Sequence, residues 1–389
     1  MIYNFDITPD RHHTDSVKWR HYGDDVLPLW VADMDFPSPQ PVIQALEERV
    51  AHGVFGYTDD NTQFRQVLVE RMAELYNWEI QSKDIVFVPG VVVGFNLASH
   101  TVATPDGGVL VQTPVYPPML GAAAAADMTH QETELSHLVD GFYSIDFDAF
   151  EAAVTAQTRL FLLCNPHNPT GRVFTQVELE QIAEICLKRE VVICSDEIHC
   201  DLIFPGYRHI PIASLDPEIA QNTITLVAPS KTFNIAGLEC SAAIIQNPVL
   251  RGQYKKASKG LVGGVNLLGS LAGLVAYRDG NEWLQQLLVY LEANRDFLYD
   301  YVQREFPGIS MTKPEGTYLA WLDCRQALIK GNPHEFFLRE ARVALNDGVD
   351  FGRGGEGFVR LNFGCSRLTL TEALERMKNS LQRLKKYHE

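Results

Sequence analysis

Three residues placed just beyond apolar runs carry the chemistry that this chain could perform. The first is Lys231, in Ser230-Lys231-Thr232-Phe233-Asn234, directly after the strand-like run 223–227. A lysine amine condenses with an aldehyde when its surroundings keep part of it unprotonated. The second is Asp196, in Ser195-Asp196-Glu197-Ile198-His199, after the apolar run 191–194. A carboxylate at the end of a buried strand is costly unless a cation meets it, and a protonated ring nitrogen is such a cation. The third is Asn168, in Asn165-Pro166-His167-Asn168-Pro169-Thr170-Gly171-Arg172, after the run 159–164. Two Asn-Pro steps are turn chemistry, and the rigid loop suits an amide that must hold a ligand. Taken singly, each has a plain structural explanation: a solvated lysine, a helix-capping aspartate, a loop built for shape.

A fourth segment changes the balance. Pro89-Gly90-Val91-Val92-Val93-Gly94 follows the run 85–88 and enters a helix. The free N–H groups and dipole of such a terminus make a phosphate seat. A phosphate seat, an asparagine, a carboxylate and a lysine at successive strand ends together fit pyridoxal 5'-phosphate. Its aldehyde would go to Lys231, its ring nitrogen to Asp196, its phenolic oxygen to Asn168 and its phosphate to the turn at Gly90, Val91 and Val92.

The elements that must position these groups alternate. Strands are expected at 85–88, 109–112, 128–132, 159–164, 191–195, 223–227 and 241–246, with helical stretches such as 92–103 and 175–190 between them. Apolar strands separated by helices predict an α/β fold with a mostly parallel seven-stranded sheet covered on both faces. Ligands of such sheets bind beyond the carboxyl ends of the strands. Residues 265–304 read as helical with a break near Asp279-Gly280. Strands at 317–322 and 358–363 and helices at 333–344 and 371–386 follow, as in a smaller α+β domain. The expected division is a large domain over 46–280 and a small domain over 281–389, joined by an N-terminal segment, 1–45. In that segment Leu27-Pro28-Leu29-Trp30-Val31-Ala32-Asp33-Met34-Asp35-Phe36 is too apolar for a free tail and should dock on the body.

Composition narrows the field. Lys and Arg number 33 against 49 Asp and Glu, a net charge of -16, which argues against nucleic acid as a partner. The seven cysteines include no C-x-x-C pair and several lie in apolar runs, so they read as reduced core thiols. The histidines lack ligand spacing, and no metal site is expected. The N-terminus does not read as a signal peptide, and no apolar run reaches membrane-spanning length. A cytoplasmic enzyme with no membrane partner is the expectation.

With these motifs in place, the sequence resembles the fold-type I pyridoxal-phosphate enzymes of the aminotransferase superfamily, class I and II. The matching segments are Asn-Pro-x-Asn-Pro-Thr-Gly at 165–171, Asp-Glu-x-His at 196–199 and Ser-Lys-Thr-Phe-Asn at 230–234. The resemblance spans essentially the whole chain. Within the superfamily it is similar to the cystathionine β-lyase branch of cysteine–sulfur lyases. That branch is suggested by Trp-Val-Ala-Asp-Met-Asp-Phe at 30–36, by His199 and by Arg-Leu-Asn-Phe-Gly-Cys-Ser-Arg at 360–367. The resemblance implies that Lys231 is the Schiff-base lysine, Asp196 the ring-nitrogen partner and Asn168 the contact of the ring oxygen. It places Ser230 and His199 among the cofactor contacts and Tyr116 against the ring face. Tyr57 would reach the phosphate held by a neighbouring subunit, which implies a homodimer. Arg360 would hold the substrate α-carboxylate, helped by backbone near Ala32, with Arg367 as a second candidate. One departure is evident. Many aminotransferases carry Gly-x-Arg after the lysine motif, with the arginine on the phosphate, and here Gly237-Leu238-Glu239 stands instead.

The resemblance to the lyase branch implies elimination. Lys231 is the base for the Cα proton, and a sulfur group on Cβ leaves as thiol. L-Cystathionine or a related S-substituted cysteine would thus yield thiol, pyruvate and ammonia. Glu239 tilts the reading from transamination toward carbon–sulfur cleavage. The alternatives are an aminotransferase using the same residues, and a lyase-like protein that also binds a transcription regulator.

Overall fold

Apolar runs become the strands of one central sheet, as their composition predicts. The computed structural model describes residues 1–59 and 61–388. Strands β1 (Ile85–Val88), β2 (Gly108–Thr113), β3 (Thr129–Glu134), β4 (Thr158–Cys164), β5 (Val192–Asp196), β6 (Thr223–Val227) and β7 (Ser241–Ile244) form a seven-stranded sheet in the order β1-β7-β6-β5-β4-β2-β3. Only β7 runs antiparallel to its neighbours. The inner strands β2 and β6 are buried along their whole length, as strands covered on both faces must be. The edge strand β3 reads Thr-His-Gln-Glu-Thr-Glu and is largely exposed on its polar side chains, which discourages pairing with another sheet edge.

The register delivers the functional loops to one place. Cys164 at the end of β4 pairs with Asp196 at the end of β5, and Asp196 in turn pairs with Leu226 of β6. The loops after these strands carry Asn168, His199 and Lys231, so they leave the sheet side by side. Because β7 runs the other way, its first residue, Ser241, lies beside Val88 at the end of β1. This brings the β1 turn to the same edge of the sheet, where the Gly90 N–H donates to the Ser241 hydroxyl at 3.0 Å.

Beyond the sheet, helices α2 (Leu267–Asp279) and α3 (Asn281–Glu305) meet at Gly280, the expected break. A second sheet, β8 (Leu319–Asp323), β9 (Asn346–Asp347) and β10 (Phe358–Asn362), is antiparallel in the order β8-β10-β9. Two expectations shift here. The strand expected from 317 begins at 319, because Thr317 adopts φ 69° and sends its N–H to the Leu202 carbonyl instead of into the ladder. The helix expected over 333–344 stops at Ala341 after a π-helical turn, Phe337–Ala341. Arg342 then takes a left-handed conformation, and Val343–Ala344 pairs in parallel with Leu27–Pro28.

That pairing docks the N-terminal segment. Its next residues are sewn down from two sides. The Asn234 amide, three residues past Lys231, donates to the Met34 and Phe36 carbonyls and accepts from the Met34 N–H. The Asn362 amide at the end of β10 donates to the Val31 and Asp33 carbonyls at 2.6 and 2.7 Å. Beneath this strap, Asp35 is buried and accepts from Lys18, Arg11 and the Trp19 indole. All seven cysteines are buried free thiols, and no helix among the described residues is long and apolar enough to cross a membrane.

Candidate active site

The strand-end loops, the strap and the second sheet enclose a cleft of about 490 Å³. Lys231 enters it from the loop after β6, and its amine donates to the Ala32 carbonyl of the strap at 2.7 Å. Burial, followed by the charge of Arg360, pushes this amine down to about 8, although Asp33 and Asp196 pull the other way. Near neutral pH an appreciable fraction is therefore a free base, the condition for amine chemistry at a carbonyl. The same Ala32 carbonyl accepts from the fully buried Tyr318 hydroxyl at 2.9 Å.

Asp196 lines the cleft at the end of β5, nearly fully buried. Its carboxylate has one hydrogen-bond donor among the described residues, the Ile198 N–H. Burial pushes its carboxyl up to about 7, against that N–H and the Lys231 charge. A carboxylate this deep asks for a cation. His199 sits in the next turn, also buried, and its Nδ1 has no partner. Burial and the charges of Lys231 and Arg360 push it down to about 3, so its ring is neutral. A neutral imidazole carries one N–H to donate and one nitrogen to accept.

Arg360 reaches the cleft from β10 and is 4 % exposed. Its Nη1 donates to Asn168 Oδ1 at 2.9 Å, and its Nη2 donates to the Trp30 carbonyl at 2.8 Å and to Asn346 Oδ1. A guanidinium has no acceptor, so both asparagines must turn their oxygens toward it. Asn168 lines the cleft, and its amide nitrogen, with no partner among the described residues, is thereby left as a free donor. Burial holds the guanidinium down to about 10, still charged at neutral pH.

At the other end of the cleft, Gly90 adopts φ 109° and caps helix α1 (Val91–Val102). The N–H groups of the first turn of a helix have no acceptor within it, and here Val91, Val92 and Val93 line the cleft. Ser230 flanks the same end, with Glu239 exposed at the rim in a left-handed conformation. Among the described residues, Lys231 and Arg360 are the cations that line the cleft.

The expected residues Lys231, Asp196, Asn168, Tyr116, His199, Ser230, Gly90, Val91, Val92, Ala32 and Arg360 all line this one cleft. Two expected residues do not. Arg367 opens the helix Arg367–His388, where its Nε donates to Asn294 Oδ1 and its guanidinium lies over the Phe297 ring. Arg367 therefore cannot take a carboxylate in the cleft, and that expectation is corrected. Tyr57 is fully exposed in an irregular segment outside its own chain's cleft. Sequence reasoning missed Asn346 and Tyr318. Asn346 sits in Leu345-Asn346-Asp347-Gly348, which reads as a turn, and no local signal reveals that β9 sets it opposite Arg360.

Comparison with known proteins identifies the family. The family model for aminotransferase class I and II matches residues 24–377. The chain is 39% identical over 386 residues to cystathionine beta-lyase PatB of Bacillus subtilis, covering 97% of this chain and 100% of that protein. Among solved structures, OvoB is 43% identical with a TM-score of 0.93, over 97% of this chain and 99% of that one. Cystalysin from Treponema denticola, whose structure contains a pyridoxal 5'-phosphate cofactor, is 36% identical with a TM-score of 0.94, over 99% and 100%. The chain belongs to the class I and II aminotransferase family.

Proposed function

We propose that this protein is a pyridoxal-phosphate-dependent carbon–sulfur β-lyase acting on L-cystathionine or a related S-substituted cysteine. The observation that carries the reading is the pair formed by Asp196 and Lys231. One is a buried carboxylate whose hydrogen-bond donor among the described residues is a single backbone N–H, the other a half-buried lysine whose amine is held partly unprotonated, and both face one cleft. The residues present fit the cofactor. Asp196 would meet the ring nitrogen, the Asn168 N–H groups and the neutral His199 would serve the phenolic oxygen, and Tyr116 would flank the ring. Val91, Val92 and Ser230 would receive the phosphate. When bound, pyridoxal phosphate supplies an aldehyde for the substrate amine and an electron-poor ring that stabilises negative charge at Cα.

The chain's own groups do the rest. Arg360 takes the substrate α-carboxylate beside the Ala32 peptide, which points the Cα–H bond at Lys231. Lys231 removes the Cα proton, and Asp196 keeps its negative charge against the ring nitrogen throughout. The Cβ–S bond then breaks and the sulfur leaves as thiol. With water, the remaining three carbons and nitrogen end as pyruvate and ammonia. On this reading residues 46–280 form the cofactor-binding domain, and residues 1–45 and 281–389 close over the substrate. The exposed Tyr57 would complete the phosphate site of a second copy in a cytoplasmic homodimer.

The deciding assay uses purified enzyme, L-cystathionine and no keto acid. Pyruvate and free thiol in equal amounts, with both products and the cofactor absorption band lost in Lys231→Ala, are expected. Turnover that strictly requires a keto-acid acceptor would overturn the lyase in favour of an aminotransferase.

A further inference from the structure

The donors around Arg360 can be counted, and the count leaves a gap. Both N–H groups of Nη2 are engaged, one by the Trp30 carbonyl and one by Asn346 Oδ1. Nη1 gives one N–H to Asn168, and Nε is buried without a partner. Only one N–H of Nη1 remains uncommitted toward the cleft. A bidentate carboxylate needs two parallel donors on one edge of the guanidinium, and no edge offers two free ones. A second donor must come from elsewhere.

Asn346 is built to supply it. It lines the cleft and is only partly buried. Its place in β9 is fixed by pairing directly opposite Arg360 in β10. Its oxygen must face the guanidinium, since that group only donates. Its nitrogen therefore faces away, and it has no partner among the described residues. We infer that Asn346 is a substrate-positioning residue whose oxygen sets the guanidinium of Arg360 and whose free N–H groups complete the seat for the substrate α-carboxylate.

This inference rests on Arg360 as the carboxylate seat, and the test separates the two. The cofactor-loaded enzyme is titrated with glycine and with methylamine while the cofactor absorption band is followed. Both ligands carry the amine and only glycine carries a carboxylate, so the ratio of their Kd values isolates the seat. In Asn346→Ala, glycine should bind about tenfold more weakly, the effect of one lost hydrogen bond to a charged group, with methylamine unchanged. Asn346→Asp keeps an oxygen on Arg360 but removes the N–H donors and adds a repelling charge. It should weaken glycine about a hundredfold. A purely structural role predicts the opposite for Asn346→Asp, which would bind glycine as the parent does. Asn346→Ser carries the test if the alanine variant does not fold. If all Asn346 variants keep the parental ratio while Arg360→Ala loses it, the role of Asn346 is overturned and that of Arg360 stands. If Arg360→Ala keeps the ratio too, both fall.

Discussion

Two buried aspartates, one under the N-terminal strap and one at the end of β5, show how the same group serves opposite ends. Asp35 is 3% exposed and Asp196 4%, so burial does not distinguish them. Their partners do. Asp35 accepts from Lys18 at 2.9 Å, from Arg11 at 2.8 Å and from the Trp19 indole at 2.9 Å. Asp196 accepts from a single backbone N–H. A buried charge with its donors in place is a fastener, and removing it strands two cations. A buried charge without a cation is unsatisfied until a ligand brings one. The strap is satisfied by the protein's own cations, whereas the cleft presents a carboxylate whose cation pyridoxal phosphate would supply.

The contrast can be broken at either aspartate. Asp196→Ala should lower kcat/KM about 10²–10³-fold, the range for losing a preorganised electrostatic partner, while the Tm of the cofactor-free protein holds or rises. A fall in that Tm would mean that Asp196 is a fastener after all. Asp35→Ala should do the reverse. It should cost about 3–5 kcal/mol of unfolding free energy in a denaturant titration, with kcat per folded molecule falling far less than in Asp196→Ala.

A pH titration sharpens the same difference. In the cofactor-free protein the Asp196 carboxyl is raised to about 7, above its unfolded range near 4. The folded state therefore binds this proton more tightly. The resulting stability is full below about pH 4 and is lost as pH rises through about 7. Subtracting the Asp196→Asn curve isolates this slope from those of His167 and His199, whose lowered values act with the opposite sign in the acid range. The difference should shrink when pyridoxal phosphate is bound, because the ring nitrogen then holds Asp196 ionised. The smallest effect belongs to the rim. Glu239 is exposed near the phosphate end, where screening is strong. Glu239→Gln should tighten cofactor binding by no more than about fivefold in equilibrium dialysis.

The sheet was legible because its strands are dense apolar runs and its loops carry dipeptides that can only turn. Lys231, Asp196 and Asn168 stood out for one physical reason: each is a polar group directly after a run that must be buried. Arg360 needed more, since an arginine within an apolar strand was recognised through its motif. Arg367, seven residues on, has the same side chain and a similar setting, yet the start of a helix turns it onto Asn294 and Phe297. Local spacing does not encode that rotation. Asn346 was illegible for a related reason: its role comes from the ladder between β9 and β10, a pairing of residues 14 apart in a turn-rich segment. The two-residue pairing of Leu27–Pro28 with Val343–Ala344 is too short to leave any periodic trace.

The strap also sets a timetable. Met34 waits for Asn234, 200 residues later, and Val31 waits for Asn362, 331 residues later. At the roughly 5–20 residues per second of protein synthesis, that second wait is roughly 15–65 s. Until then the nascent chain holds Lys231 without the carbonyl that will receive its amine. The strap is thus made long before the side chains that hold it, and the cleft closes only after Asn362 has followed.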